Sequence, residues 1–362
     1  MQNLVRQNIL NLKPYSSARS EFSGRASVFL DANENGHDLH GNSLNRYPDP
    51  LQLAVKQQIA KLKNLNTENI FLGNGSDEAI DLLFRIFCEP GIDEVITCPP
   101  TYGMYRVQAD IHGTPIHSVL LDKNFQLKPE AVWDVLGSPL GVRGKTKILF
   151  LCSPNNPTGN LLEPAAVEEL LRKFRGIVVV DEAYIDFSEG VPSWLERLNE
   201  FPNLVVLQTL SKAWALAGAR LGMAFASPEI IHFMNAVKYP YNVGLPTQRA
   251  VLAALKTGIG TAVESIVAER KKMEKALASF DFVEKIYPSD ANFLLVKMQG
   301  NNLIFNYLKQ NGVVVRDRSR EPLCEGCLRI TVGTEEENDR LLELLNNVGG
   351  VLNLNDATTQ FL

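Results

Sequence analysis

The chain has 362 residues, of which 45% are hydrophobic and 21% are charged, so it can bury a large core and has a length typical of two domains. Its formal net charge of −5 predicts no basic surface suited to nucleic-acid phosphates, and we expect no nucleic-acid partner. The chain has no run of 18 apolar residues and no apolar secretion signal at its start, which predicts a globular protein of the cytoplasm.

The first 44 residues are rich in Ser, Asn and Gly, and they are predicted to form an arm and part of a smaller domain. From about residue 65, short β-rich runs alternate with helical patterns such as 76–87 and 163–174, which indicates an α/β domain over 45–245 with a mainly parallel seven-stranded sheet. The runs predicted as strands are 69–73, 94–98, 115–121, 147–152, 177–181, 204–209 and 222–226.

After residue 245 the pattern changes to two long helices, 247–258 and 260–280. Three short β-rich runs follow, and a helical pattern over 334–348 closes the chain. These runs are 292–298, 312–317 and 328–333. The sequence therefore predicts a smaller α+β domain over 246–362.

Five cysteines, an odd number in a long chain, fit reduced thiols better than a disulfide framework. Cys324 and Cys327 form a CxxC pair, but a zinc site normally needs two further ligands at matching spacing. A redox pair would need a thioredoxin-like context, so we interpret the pair as part of a hairpin turn. His37 and His40 have no helical pattern to bring them together, and no metal site is predicted.

Polar residues follow four of the predicted strands, and in open α/β sheets ligands bind beyond these carboxyl ends. The run 69–73 leads into a helix start at Asn74 to Asp77, where free backbone N–H groups can hold a phosphate. The other three runs lead into SPNNPTG, DEAY and LSKAW. We expect all four segments to meet at one rim of the sheet.

Each of these features has a simpler interpretation on its own. Gly75 could be a helix-capping glycine, and SPNNPTG could be only a turn. Asp181 could cap a strand, and Lys212 could be a surface lysine. Their joint order and location favour a shared site.

Together these residues have the chemistry needed to bind pyridoxal phosphate. A partly neutral Lys212 can form a Schiff base, and nearby cations or apolar surroundings lower a lysine pKa toward neutrality. Asp181 can pair with a protonated ring nitrogen, which keeps an aromatic cofactor electron-poor. The phosphate would be bound by Ser76, Thr209, Ser211 and Arg220.

The segments SPNNPTG, DEAY and SKAWALAGARLG, in this order and spacing, resemble the fold-type I aminotransferases that use pyridoxal phosphate. LDANENG, RYPDP, PTYGMY and CLRITVGT are similar to one branch of them, the histidinol-phosphate aminotransferases. The resemblance covers nearly the whole chain. Gly36 stands where many members carry proline, which concerns only the local loop shape.

The resemblance implies roles for the cofactor-binding residues. Lys212 would hold pyridoxal phosphate as a Schiff base and move the proton, and Asp181 would pair with the ring nitrogen. Asn156 and Tyr184 would hydrogen-bond the ring oxygen, and Tyr102 would stack on the ring. The remaining contacts would come from Gly75, Ser76, Asp77, Thr209, Ser211 and Arg220, with Tyr47 lent across a homodimer interface.

The resemblance also implies the substrates, which are histidinol phosphate and 2-oxoglutarate, with amino-group exchange giving imidazole acetol phosphate and glutamate by ping-pong kinetics. Arg329 would bind an α-carboxylate, Arg316 and Tyr15 the phosphate end, and Asn33 the region near the amine.

Three alternatives remain open. A threonine-phosphate decarboxylase and an aromatic amino-acid aminotransferase share the fold. A ligand-sensing regulator would need a DNA-binding module, and the chain has neither an additional N-terminal helix-turn-helix pattern nor a basic patch.

Overall fold

The computed structural model describes residues 2–21, 26–137 and 145–359. Within these ranges the strands are β1 (Ile70–Asn74), β2 (Glu94–Thr97), β3 (Ile116–Ser118), β4 (Thr146–Cys152), β5 (Ile177–Asp181), β6 (Leu204–Thr209), β7 (Leu221–Ala226), β8 (Val283–Ile286), β9 (Phe293–Met298), β10 (Arg316–Asp317) and β11 (Cys327–Thr331). The helices are α1 (Gln7–Leu10), α2 (Ala18–Glu21), α3 (Leu53–Lys63), α4 (Gly75–Phe87), α5 (Met104–Ile111), α6 (Pro129–Leu136), α7 (Pro164–Lys173), α8 (Pro228–Val237), α9 (Leu245–Thr257), α10 (Gly260–Leu277), α11 (Asn301–Gln310) and α12 (Glu335–Thr359).

The first seven strands form one sheet in the order β1-β7-β6-β5-β4-β2-β3. Neighbouring strands from β6 through β3 pair in parallel, whereas β7 is antiparallel to both β1 and β6. This confirms the predicted mainly parallel seven-stranded sheet. Strand β3 is shorter than predicted and ends at Ser118. After it, the N–H of Val119 still donates to the carbonyl of Thr97 at the end of β2, and that of Leu121 donates to the carbonyl of Pro99.

Apolar residues cover both faces of this sheet, as continuous hydrophobic runs predict. In β4, Leu149 and Leu151 belong to one buried layer, whereas Ile148 and Phe150 belong to the other. The second layer includes the buried faces of α4 and α8, and the first includes those of α3 and α7. Burial on both faces leaves only the ends of the strands available for polar groups.

The parallel strands end side by side at one edge of the sheet. Cys152 at the end of β4 pairs with Asp181 at the end of β5, and Asp181 pairs with Leu207 of β6. Strand β1 runs in the same direction as β6, because β7 is antiparallel to both of them. The four polar segments that follow β1, β4, β5 and β6 therefore begin at the same edge.

The remaining four strands form an antiparallel sheet in the order β10-β11-β9-β8. One face of it packs on α10, α11 and α12, with Leu294 and Val296 of β9 in that buried cluster. Phe293 and Leu295 alternate with them and join a core layer of the large sheet. The small sheet is therefore buried between its own helices and the large sheet.

One strand prediction in this region was wrong in its extent, and one strand was missed. The run 312–317 forms a strand only at Arg316 and Asp317, because Gly312 adopts a φ of +83° and Val314 is exposed rather than packed. Strand β8 was missed because its sequence, VEKI, places two charged residues in an edge strand with no fully buried position. An edge strand half open to solvent lacks the apolar signal on which sequence patterns depend.

All five cysteines are buried free thiols. The N–H of Cys327 donates to the carbonyl of Cys324 at 2.9 Å, which closes the predicted turn between β10 and β11. In the described ranges, no three His, Cys, Asp or Glu side chains are grouped so as to hold a metal ion. Among the same residues no single helix is long and apolar enough to cross a membrane; α9 and α10 meet that test only jointly, and they are bent by 79°.

Gly222→Ala should destabilise the protein by about 3 kcal/mol or more, because a Cβ at residue 222 would lie 2.0 Å from the backbone N of Ser76, and backbone atoms cannot move aside cheaply. Urea unfolding of the cofactor-free protein measures this loss. Gly218→Ala is the control, since a Cβ there meets no atom within 4 Å. Equal stability of the two variants would contradict the close packing of β7 on the start of α4.

Candidate active site

A cavity of about 420 Å³ lies at the edge where the parallel strands end and is closed on one side by the small sheet. The structure brings together in it every residue predicted for the site except Tyr15, Asn33 and Tyr47. The predicted residues that line it are Gly75, Ser76, Asp77, Tyr102, Asn156, Asp181, Tyr184, Thr209, Ser211, Lys212, Arg220, Arg316 and Arg329.

Lys212 follows β6, and its exposed side chain lines the cavity, with its Nζ 5.6 Å from the centroid of the Tyr184 ring. The surrounding protein lowers the pKa of Lys212 by desolvation, and the positive charges of Arg329 and Arg220 lower it further. Asp181 acts against this effect. The sequence pointed to Arg220 as the close cation, but Arg329 has the larger effect and reaches the cavity only through the small sheet.

Asp181 ends β5 and is 2% exposed. The hydroxyl of Tyr105 donates to its Oδ2 at 2.8 Å, and the N–H of Ala183 donates to its Oδ1 at 3.1 Å. Burial raises the pKa of Asp181 to about 6, although both hydrogen bonds favour the ionised form. Sequence reasoning missed Tyr105, which lies in the quoted segment PTYGMY but carries no motif of its own.

The start of α4 and the turn after β6 form a cluster of donors. The Oγ1 of Thr209 donates to the Oγ of Ser211 at 3.0 Å, and Nη1 of Arg220 lies 3.5 Å from the same oxygen. Gly75 adopts a φ of +72°, which favours glycine, and a Cβ there would lie 2.7 Å from Nη2 of Arg220. Helix N-terminal N–H groups, hydroxyls and an arginine form an arrangement suited to a phosphate.

An acid lies beside this cluster. Asp77 is 3.8 Å from Nη2 of Arg220 and accepts a hydrogen bond from the hydroxyl of Tyr102 at 3.1 Å. Asp77 thereby fixes the side chain of Tyr102, which forms a wall of the cavity.

The small sheet and the large sheet meet through Arg329. Its Nη1 donates to Oδ1 of Asn156 at 2.5 Å, and its guanidinium lies 5.3 Å from the centroid of the Phe293 ring. Nδ2 of Asn156 in turn donates to the hydroxyl of Tyr184 at 3.4 Å. Burial raises the pKa of Tyr184, so its hydroxyl stays protonated at neutral pH and can donate.

Three predicted residues lie outside this cavity. Tyr15 is 76% exposed. Tyr47 stacks on Tyr241, with ring centroids 4.3 Å apart, and lines a separate surface cavity together with Asn33. None of the three lines the cavity that contains Lys212 in the same chain.

Residues 20–345 match the family described as aminotransferase class I and II. The chain belongs to this family. It is 53% identical over 350 residues to a histidinol-phosphate aminotransferase of Parabacteroides distasonis, which covers 96% of this chain and 99% of the relative. It is 50% identical over 353 residues to one of Bacteroides thetaiotaomicron, with 97% and 99% covered. The crystal structure of the Sinorhizobium meliloti histidinol-phosphate aminotransferase in complex with pyridoxal-5'-phosphate has a similar fold, with a TM-score of 0.75 at 23% identity over 84% of each chain.

This aminotransferase also has cavity residues that the sequence analysis did not single out. They are Thr101, Gly103, Met104, Cys152, Pro157, Ala183, Arg318 and Glu321. Four of them, Thr101, Gly103, Pro157 and Ala183, are immediate chain neighbours of predicted residues, so segment position could have indicated these four. Arg318 and Glu321 lie in the connection that follows β10, where no motif was recognised.

Asp181→Asn should stabilise the cofactor-free aminotransferase at pH 8 by about 3 kcal/mol, because Asp181 must ionise there in a buried site. The pKa of Asp181 is raised in the folded state. Its contribution to the free energy of unfolding of the wild type is therefore fully present below the unfolded-state pKa near 4 and is lost as the pH rises through about 6. Urea unfolding at pH 4.5, 6 and 8 measures the difference between variant and wild type. An advantage that does not shrink toward low pH would show that the buried charge is not its cause.

Proposed function

We propose that this chain transfers the amino group between L-histidinol phosphate and 2-oxoglutarate in histidine biosynthesis, with pyridoxal phosphate bound through a Schiff base to Lys212. The observation that carries the proposal is that one cavity contains the Lys212 amine, the buried Asp181 carboxylate and the Arg329 guanidinium. The relatives at about half identity over nearly the whole chain, each named a histidinol-phosphate aminotransferase, support the choice of substrates.

The residues of the cavity fit this cofactor. The donor cluster of Ser76, Thr209, Ser211 and Arg220 suits its phosphate, and Gly75 leaves the space beside the arginine. The carboxylate of Asp181 suits a protonated ring nitrogen, since a cation is the partner that a buried carboxylate lacks here. When bound, pyridoxal phosphate supplies an acceptor for the electron pair released at the substrate carbon.

The side chains of the chain then bind, orient and move a proton. Lys212 has a lowered pKa, so a fraction of its Nζ is neutral and can take the proton from the substrate carbon that bears the amino group. Asn156 and Tyr184 place an amide and a hydroxyl where they can donate to the ring oxygen. Tyr102 provides a flat wall for the ring and is fixed by Asp77.

Two dissimilar substrates use the cavity in turn, and arginines at its small-sheet side suit the anion of each. Among the cations, Arg329 lowers the pKa of Lys212 most, and we assign to it the α-carboxylate of glutamate. We assign the phosphate end of histidinol phosphate to Arg316, together with Tyr15, and place Asn33 near the amine.

The positions of Tyr15, Asn33 and Tyr47 fit a homodimer in which an active site is completed across the interface. We propose that Tyr47 reaches the cofactor phosphate of the partner subunit, which fits its position outside the cavity of its own chain. We further propose a large domain over 45–245, a smaller one over 246–362 joined by part of 1–44, and a cytoplasmic location.

The purified protein loaded with pyridoxal phosphate should convert histidinol phosphate and 2-oxoglutarate to glutamate, and Lys212→Ala should abolish this. Borohydride should attach the cofactor covalently to the peptide carrying residue 212 in the wild type and in the exposed-lysine control Lys256→Ala, as mass spectrometry can show. Turnover of phenylalanine alone, or release of carbon dioxide from threonine phosphate, would instead support one of the two alternative enzymes.

Arg329→Ala should lower kcat/KM for glutamate roughly 100-fold, the effect of losing a charge-assisted contact to the α-carboxylate. The loss for histidinol phosphate, which has no carboxylate, should be smaller and should come from the lost contact with Asn156. Steady-state kinetics of the two half-reactions tests this, with Arg329→Lys as the variant that keeps the charge. Equal losses for the two donors would contradict the assignment.

A further inference from the structure

Arg318 is a third arginine, after Arg316 and Arg329, on the small-sheet side of the cavity. Arg316 and Arg329 are direct partners in the antiparallel pair β10 and β11, so their side chains lie on the same face. The N–H of Arg318 donates to the carbonyl of Cys327 at 2.9 Å, which continues the same pairing by one step. Because strand side chains alternate, Arg318 lies on the same face as Arg316.

Few acids face this group of cations. Glu321 is the carboxylate beside Arg318 on the cavity wall, and its Oε1 is 3.8 Å from Nη1 of Arg318, beyond hydrogen-bonding distance. In the part of the chain that the structure describes, the Nε atoms of Arg318 and Arg329 are buried and have no hydrogen-bond acceptor. The charge of Arg318 also lowers the pKa of Arg329, after burial and more than Arg316 does.

The three arginines and Glu321 together give this end of the cavity a net charge of about +2. One arginine satisfies a carboxylate, which has two oxygens and one charge. A phosphate monoester carries between 1.5 and 2 negative charges near pH 7 and has three terminal oxygens, so it matches two arginines better than one. Arg329 is engaged with Asn156, which leaves Arg316 and Arg318 for the second anion.

We propose that Arg318 joins Arg316 in binding the phosphate of the amino donor, and that Glu321 is the counter-ion of Arg318 when no dianion is bound. This inference rests on the proposed function for the identity of the donor. It makes Arg318 a specificity residue that distinguishes a phosphorylated donor from one that carries only carboxylates.

Kinetics of Arg318→Gln in the cofactor-loaded enzyme tests the proposal. We expect kcat/KM for histidinol phosphate to fall roughly 30-fold, mostly through KM, with about threefold or smaller changes for glutamate and for unphosphorylated histidinol. Arg318→Lys keeps the charge but lacks the paired N–H donors of a guanidinium. Its kcat/KM for histidinol phosphate should lie between those of Arg318→Gln and the wild type. Arg320→Gln is the matched control, because Arg320 is exposed and does not line the cavity.

Binding of inorganic phosphate to the cofactor-loaded protein, measured by calorimetry at pH 8, separates this proposal from the proposed function. Arg318→Gln should weaken phosphate binding roughly 30-fold, and Glu321→Gln should strengthen it several-fold by removing the counter-ion. This measurement tests whether Arg318 binds phosphate even if histidinol phosphate proves not to be a substrate. Equal phosphate affinities of Arg318→Gln and Arg320→Gln, or equal losses for glutamate and histidinol phosphate, would overturn the proposal.

Discussion

The buried carboxylate of Asp181 is the constraint on which the site depends. A parallel strand that is covered on both faces ends at this residue, so water cannot stabilise its charge. Tyr105 and the N–H of Ala183 offset part of that cost, and the pKa of the carboxyl remains raised. A protonated ring placed against Asp181 would supply the missing cation, and the favourable free energy of that pair would favour binding of one class of cofactor.

Negative and positive charges lie on opposite sides of the cavity. Asp181 lies at the edge of the large sheet, whereas Arg316, Arg318 and Arg329 lie on the side of the small sheet. Lys212 lies between the two and experiences both, since Arg329 lowers its pKa and Asp181 raises it. A cavity with separated charges orients a substrate whose anion lies away from its amine, and its field places that amine toward Lys212.

Close backbone packing fixes the donor cluster at the start of α4 and after β6. The N–H of Gly75 donates to the carbonyl of Arg220 at 2.8 Å, and Arg220 itself adopts a left-handed conformation with a φ of +56°. Gly222 allows β7 to contact the start of α4 without a side chain between them. These contacts hold hydroxyls, N–H groups and a guanidinium in place before a ligand arrives, which lowers the cost of ordering them on binding.

The sequence alone determined the large sheet, and it indicated the candidate residues that follow its strands, because apolar periodicity and strand-end segments are local signals. It did not give the bond from Tyr105 to Asp181, the approach of Arg329 to Lys212, or the alignment of Arg318 with Arg316. It also could not place Tyr15 and Asn33 outside the cavity, or find β8 among charged residues. These features depend on strand register and on packing between segments far apart in the chain, so only the tertiary structure decided them.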